Sequence, residues 1–118
     1  MPIFFLSDKL SFPPPQLATT EGLLAVGGDL SQERLLLAYR LGIFPWFSDG
    51  EPILWWSPDP RLVLYPDEFR VPKTLRKIIK KKMFNITMDT AFEAVMHRCR
   101  QIRVQNNEGT WIVDDMID

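Results

Sequence analysis

Three tryptophans, Trp46, Trp55 and Trp56, crowd the stretch from Gly42 to Arg61, which also holds four prolines. Seven basic residues follow between Arg70 and Lys82, with no acid among them. Indole rings give flat faces on which bases stack, and Lys and Arg side chains pair with phosphates. Rings and charge in one short chain therefore point to recognition of RNA or of a single strand. Each half also has a plainer reading. Buried aromatics dominate cores, and a charge run on an amphipathic helix can be no more than its solvated face. Proline fixes φ, so rings in a proline-punctuated segment would be rigidly held. No helical or strand period runs through that segment.

The remaining chemistry-bearing residues are sparse. His97 is the only histidine and lies four residues after Glu93, the spacing of neighbours on a solvated helix face. One His and one Cys cannot supply a metal-ligand set. Cys99 falls on an apolar stripe and is expected in the core. Gly27-Gly28-Asp29 lacks the spacing and the Lys-Ser/Thr of a phosphate loop, and reads as a tight turn before a capped helix. Asp59, between two prolines, and Glu108, at the start of an expected strand, have ordinary structural explanations.

Elements must position these residues. Ile3 to Leu6 reads as a short strand, followed by a loop with Pro13, Pro14 and Pro15. Ser31 is a good N-cap for a helix over about 32 to 41, closed by Gly42. Arg61 to Tyr65 reads as a strand ending at Pro66. Pro72 is expected at the first position of a basic helix with Leu75, Ile78 and Ile79 as its apolar stripe. Phe84, Ile86 and Met88 alternate as a half-buried strand. Asp89 is expected to cap a helix over about 90–100, whose apolar positions Phe92, Val95, Met96 and Cys99 follow helical spacing. Arg103 to Glu108 reads as a polar loop and Gly109 to Val113 as an extended piece. Val113 to Asp118 reads as a cap and one helical turn, as if the chain were cut within an element.

Composition narrows the class. The 118 residues suit one domain, or one domain and part of another, and 46% are hydrophobic, as in an ordinary globular protein. A single cysteine excludes an internal disulfide framework and suits a reducing compartment. No apolar run approaches the ~20 residues that span a bilayer, and the N-terminus lacks a basic signal-peptide region. The expectation is a cytoplasmic protein with no membrane partner. The net charge of −1 is unevenly spread: residues 1–69 carry four basic and nine acidic side chains, residues 70–103 ten and two. That basic block is a footprint for a polyanion.

Four segments carry a resemblance. Gly22-Leu-Leu-Ala-Val-Gly-Gly-Asp-Leu-Ser31, Ala38-Tyr-Arg-Leu-Gly-Ile-Phe-Pro-Trp-Phe47, Pro52-Ile-Leu-Trp-Trp-Ser-Pro-Asp-Pro-Arg61 and Glu108-Gly-Thr-Trp-Ile112 resemble the hallmark segments of bacterial leucyl/phenylalanyl-tRNA–protein transferases, in order. The resemblance covers the whole chain but about the first half of a family member. It implies an α+β fold: a small N-terminal α/β domain over residues 1–59, then, over residues 60–118, the truncated start of a domain similar to the acetyltransferase (GNAT) fold. It implies transfer of leucine or phenylalanine, with methionine as a further substrate, from aminoacyl-tRNA to proteins with an N-terminal Lys or Arg, in the bacterial N-degron pathway. No metal or cofactor is implied. Trp46 matches the ring that stacks on the 3′-terminal adenosine, Tyr39 a position near it, and Trp111 an aromatic near the aminoacyl pocket. Lys73, Lys77, Lys80 and Lys81 match the basic cluster for the acceptor stem. The groups the family assigns to catalysis lie beyond residue 118, so no catalytic residue is expected here.

Two other functions remain open at this point. One is a non-catalytic tRNA- or RNA-binding module. The other is an aromatic groove for Pro-rich peptides, which would have no use for the basic block.

Overall fold

The computed structural model describes residues 2–118. Its organising unit is a four-stranded mixed sheet with spatial order β1-β2-β4-β3. The strands are β1 (Phe4–Leu6), β2 (Leu23–Gly27), β3 (Phe44–Pro45) and β4 (Leu54–Trp56), with α1 (Gln32–Arg40) between β2 and β3. β1 runs parallel to β2, while β4 is antiparallel to both β2 and β3. The chain is thus α+β, and β1 and the Ser31-capped helix stand where their sequence signals put them.

Local chemistry explains α1. The Ser31 hydroxyl accepts from the Arg34 N–H at 3.3 Å, Glu33 sits in the first turn and Arg40 in the last, all favourable to the helix dipole. One face of α1 places Ala38 in a core with Leu24, Ala25, Ile43 and Trp55, all fully buried. Trp55 is the keystone: its indole N–H donates to the Gly27 carbonyl at 2.8 Å, and Phe12 meets its ring edge-on at 4.9 Å. Gly22 is required where the chain enters β2. Its φ is +97°, and a Cβ there would come within 2.8 Å of the Pro58 backbone.

Arg34, on the same helix, is the one buried charge among the described residues, at 1% exposure. Its Nη2 donates to the carbonyls of Ser7 and Lys9 at 2.9 and 3.3 Å, tying the loop after β1 to α1. Nε lies 3.3 Å from the Asp29 carboxylate but is not aligned with it as a hydrogen bond, and the guanidinium sits 5.8 Å from the Phe12 ring centre. The partners offset part of the cost of taking this charge out of water.

The proline- and tryptophan-rich stretch is not irregular throughout, contrary to expectation: it forms the β3–β4 hairpin. The strands are two and three residues long, too short for alternation to register, and prolines flank β4 at positions 52 and 58. Pairing on both edges of β4 supplies the order that local pattern does not show.

The regular elements of residues 61–118 are all helical, the longer ones being α2 (Lys73–Lys80), α3 (Phe92–Gln105) and α4 (Asp114–Ile117). Several expectations fail here. Neither 61–65 nor 84–88 is a strand, because among the described residues no other strand lies alongside to take up their backbone groups; all ten residues are exposed. Pro72 is the N-cap of α2 rather than its first residue. Asp89, at φ +56°, does not cap α3; Ala91 precedes the helix with no side-chain cap. The 103–108 loop is shortened, since α3 runs to Gln105 and turns off through Asn107 at φ +55°. Glu108 ends that helix rather than starting a strand, its N–H donating to the Arg103 carbonyl at 2.9 Å and its carboxylate 3.1 Å from Arg103 Nε. Residues 109–113 join no sheet, although Ile112 and Val113 are buried. Cys99 is exposed, not core, and so are Phe92 and Val95. The stripe exists on α3 but is covered only in part: Met96 is half-buried and α3 touches the short α4, while the other three positions face outward. The radius of gyration, 17.7 Å, exceeds the ~13.5 Å of a compact chain this long, in keeping with a single core in the first half.

Candidate nucleic-acid interface

The site grows from the end of α1. Tyr39 lies in its last turn and is exposed. Gly42, at φ +73°, then reverses the chain; its N–H donates to the Tyr39 carbonyl at 3.1 Å, and that of Ile43 to the Ala38 carbonyl at 2.9 Å. Buried Ile43 anchors the turn and β3 leads directly to Trp46. Both backbone polar groups of Trp46 are held: its N–H donates to the Leu54 carbonyl at 2.9 Å, and its carbonyl accepts from the Trp56 indole at 2.8 Å. Its side chain has no such restraint, and the residue is 57% exposed. The tryptophans of this stretch therefore divide. Trp55 fills the core, Trp56 braces the hairpin, and Trp46 presents a ring on a fixed backbone.

Trp111 arrives from the other half. Arg103 Nε donates to the Gly109 carbonyl at 3.2 Å, and the Ile112 N–H donates to the Thr110 hydroxyl at 3.1 Å, so the segment after α3 is shaped on both sides of the ring. Buried Ile112 and Val113 follow it. Tyr39, Trp46 and Trp111, separated by up to 72 positions in sequence, line one cavity of about 430 Å³ with Gly42, Phe44, Pro45 and Arg61. Trp46 and Trp111 also border a second hollow of about 700 Å³, whose wall includes Ser48, Cys99, Ile102 and Thr110.

Lys73, Lys77, Lys80 and Lys81 lie elsewhere, on α2 and its C-cap. Their spacing sets them on one helix face, all four are exposed, and none lines either cavity. Among the described residues none of the four forms an ion pair. The opposite face of α2, with Leu75, Ile78 and Ile79, borders a hollow with Phe84 and Ile86. His97 is exposed, with Nε2 3.7 Å from the Glu93 carboxylate, a surface neighbour as its spacing suggests.

Two carboxylates depart from ordinary behaviour, both away from the cavities. Asp29 is held below the usual aspartate pKa, first by hydrogen bonds from the Ser31 hydroxyl and backbone N–H and then by Arg34. Asp114 is lowered by its hydrogen bond and charge pairing with Arg100. Among the described residues no group of three or more His, Cys, Asp and Glu side chains is placed to hold a metal ion, and no helix is long and apolar enough to cross a membrane.

Comparison with known proteins gives the lineage. The family description "Leucyl/phenylalanyl-tRNA protein transferase N-terminal domain" matches residues 28–59, and "Leucyl/phenylalanyl-tRNA protein transferase" matches residues 63–118. The chain belongs to the leucyl/phenylalanyl-tRNA–protein transferase family. Proteins of that name from Oleidesulfovibrio alaskensis, Desulfatibacillum aliphaticivorans and Flavobacterium johnsoniae are 58%, 57% and 52% identical to it. These alignments cover 100%, 98% and 98% of the chain and 48%, 50% and 55% of the relatives. The chain thus spans about half the length of the curated relatives it matches.

Three wall residues of the smaller cavity escaped the sequence reading of individual positions: Phe44, Pro45 and Arg61. The only signal for Arg61 was its place at the end of the Pro52–Arg61 segment, where it read as the start of a strand. The geometry gives it another position, with Nη2 donating to the Gly42 carbonyl at 2.8 Å and the guanidinium carbon 5.6 Å from the Phe44 ring centre.

Proposed function

We propose that this chain holds the aminoacylated 3′ end of tRNA for transfer of leucine or phenylalanine to a protein that begins with Lys or Arg. The observation that carries the reading is the convergence of Tyr39, Trp46 and Trp111 on one cavity. A cavity of about 430 Å³ falls in the ordinary range for a small-molecule or nucleoside site, and Trp46 offers a half-exposed face against which a terminal adenine can stack. The lysine face of α2 supplies charge for the phosphates of the acceptor stem.

The chemistry asks for little beyond positioning. An aminoacyl ester is an activated acyl group, so transfer to an amine needs neither a metal nor a nucleotide cofactor. The ester carbonyl and the acceptor α-amine must be held together. A proton must leave the attacking ammonium, and the tetrahedral oxyanion must be stabilised. We assign no residue of this chain to those last two steps. Glu108 is paired with Arg103 and Asp59 lines neither cavity. The family resemblance places the catalytic carboxylate and amide groups after residue 118. It also supports a division of the chain near residue 60, with residues 60–118 opening a GNAT-like domain, a cytoplasmic location and a role in N-degron turnover.

The test is competition binding. Phenylalanyl-tRNA should bind more tightly than the same tRNA without its amino acid, and a Pro-rich peptide should displace neither. Displacement by the peptide, or no binding of either RNA, would refute the reading.

A further inference from the structure

We propose that Arg61 reads the phosphate on the 5′ side of the terminal nucleoside, making the small cavity a nucleotide site rather than a nucleoside site. The inference rests on the cavity taking the 3′ end of an RNA, as proposed above.

Tyr39, Phe44, Pro45, Trp46 and Trp111 give the wall rings and apolar surface, and among the described residues Arg61 is its one formally charged member. The guanidinium is held at two points. Nη2 donates to the Gly42 carbonyl at 2.8 Å, and the plane's carbon lies 5.6 Å from the Phe44 ring centre. Gly42 keeps close company with it: a Cβ at that position would stand 3.5 Å from Nη1. That is ordinary contact distance, so it is the positive φ of the turn, not space beside the guanidinium, that calls for glycine at position 42. Among the described residues Arg61 has no carboxylate partner. A guanidinium has five N–H donors, and one is used. An arginine positioned in advance, with most of its donors free, suits an oxyanion that offers two acceptors.

The chemistry of the ligand supplies one such anion. A terminal nucleoside esterified through its ribose to an amino acid is neutral at the base and at the ester carbonyl. Its nearest fixed negative charge is the phosphodiester joining it to the preceding nucleotide. Trp46 and Arg61 line the same cavity, so a base stacked on that ring has this guanidinium as the cation within the same wall. A simple pin for the Gly42 carbonyl would not require a charged group with free donors.

The experiment compares adenosine with adenosine 5′-(methyl phosphate), which carries the single charge of a phosphodiester. Affinities for the 118-residue chain are read from tryptophan fluorescence at one pH and salt concentration. The native chain should bind the phosphate ester about tenfold more tightly, the scale of one charge-assisted contact at a partly exposed site. Arg61→Gln should bring the ratio close to one, the phosphate ester losing more affinity than adenosine. Arg61→Lys should keep part of the ratio, since a point charge remains without the fork. A native ratio of one overturns the proposal with no variant needed. So does a ratio that survives Arg61→Gln, or an equal loss for both ligands, which is what a purely structural pin produces. If neither compound binds, the nucleoside-end reading of the cavity falls first; if adenosine binds and the ratio is one, only the role of Arg61 falls.

Discussion

Replacing Trp46 by alanine separates binding from folding. The backbone bonds at position 46 do not use the side chain: the N–H to Leu54 and the carbonyl to the Trp56 indole survive truncation. With 57% of the residue exposed, about two-fifths of it is hidden. That is roughly 100 Å² of indole at about 25 cal/mol per Å², so the stability loss stays below ~2.5 kcal/mol. Base stacking on an aromatic side chain contributes about 1–3 kcal/mol. Tyr39 and Trp111 remain in the cavity wall after the change, which favours the lower part of that range, about 1–2 kcal/mol or roughly 5- to 30-fold in affinity. The assay is equilibrium binding of a phenylalanyl-adenosine analogue with a non-hydrolysable amide link, followed by calorimetry, with far-UV circular dichroism to verify the fold. An unchanged affinity in a folded Trp46→Ala protein would refute the stacking account.

Trp55→Ala, nine positions on, should do the opposite. It empties the centre of the core and removes the indole bond to the Gly27 carbonyl, so a loss of about 3–5 kcal/mol is expected in urea denaturation; a loss under ~1 kcal/mol would contradict its place in the core. Replacing Lys77, Lys80 and Lys81 with glutamine should flatten the plot of log affinity for tRNA against log salt by about 2, since each lost phosphate contact removes ~0.7–0.9; an unmoved slope would make that face merely solvated. The Arg100–Asp114 pair contributes above the ordinary aspartate value of 3.8 and is lost as pH falls through the lower value of the folded protein. Acid titration followed by near-UV circular dichroism should therefore show a component below pH 3.8 that Asp114→Asn removes; identical titrations of the two proteins would count against the pair.

What could be read in the residues was mostly what local chemistry decides. Ser31 and Gly42 mark the ends of α1 because a hydroxyl acceptor and a positive φ are needed there whatever the rest of the chain does. The α2 helix and its lysine face follow from spacing alone. Non-local pairing was not legible. β4 has three residues and owes its order to partners on both sides, Leu23–Val26 on one and Phe44–Pro45 on the other. Conversely, Phe84, Ile86 and Met88 alternate like a strand but have no neighbouring strand among the described residues, and the pattern alone could not reveal that. Cys99 followed the apolar spacing of α3 yet is exposed, since a stripe records which face is apolar and not what covers it. At the site, motif resemblance brought Tyr39, Trp46 and Trp111 to attention, but their meeting in one cavity depends on the turn at Gly42 and the loop braced by Arg103. Arg61 was hidden because its contacts are to a carbonyl and a ring 19 and 17 positions away, with no sequence spacing to mark them.

The most direct test of the central claim is transfer of labelled phenylalanine from phenylalanyl-tRNA to a protein with an N-terminal arginine. It should be run with these 118 residues alone and with the same residues joined to the C-terminal half of the Oleidesulfovibrio alaskensis relative. The account predicts RNA binding without transfer by the chain alone, and transfer by the joined protein that falls when Trp46 is replaced by alanine. Transfer by the 118 residues alone would contradict it, because the groups that move the proton and hold the oxyanion would then lie within this chain.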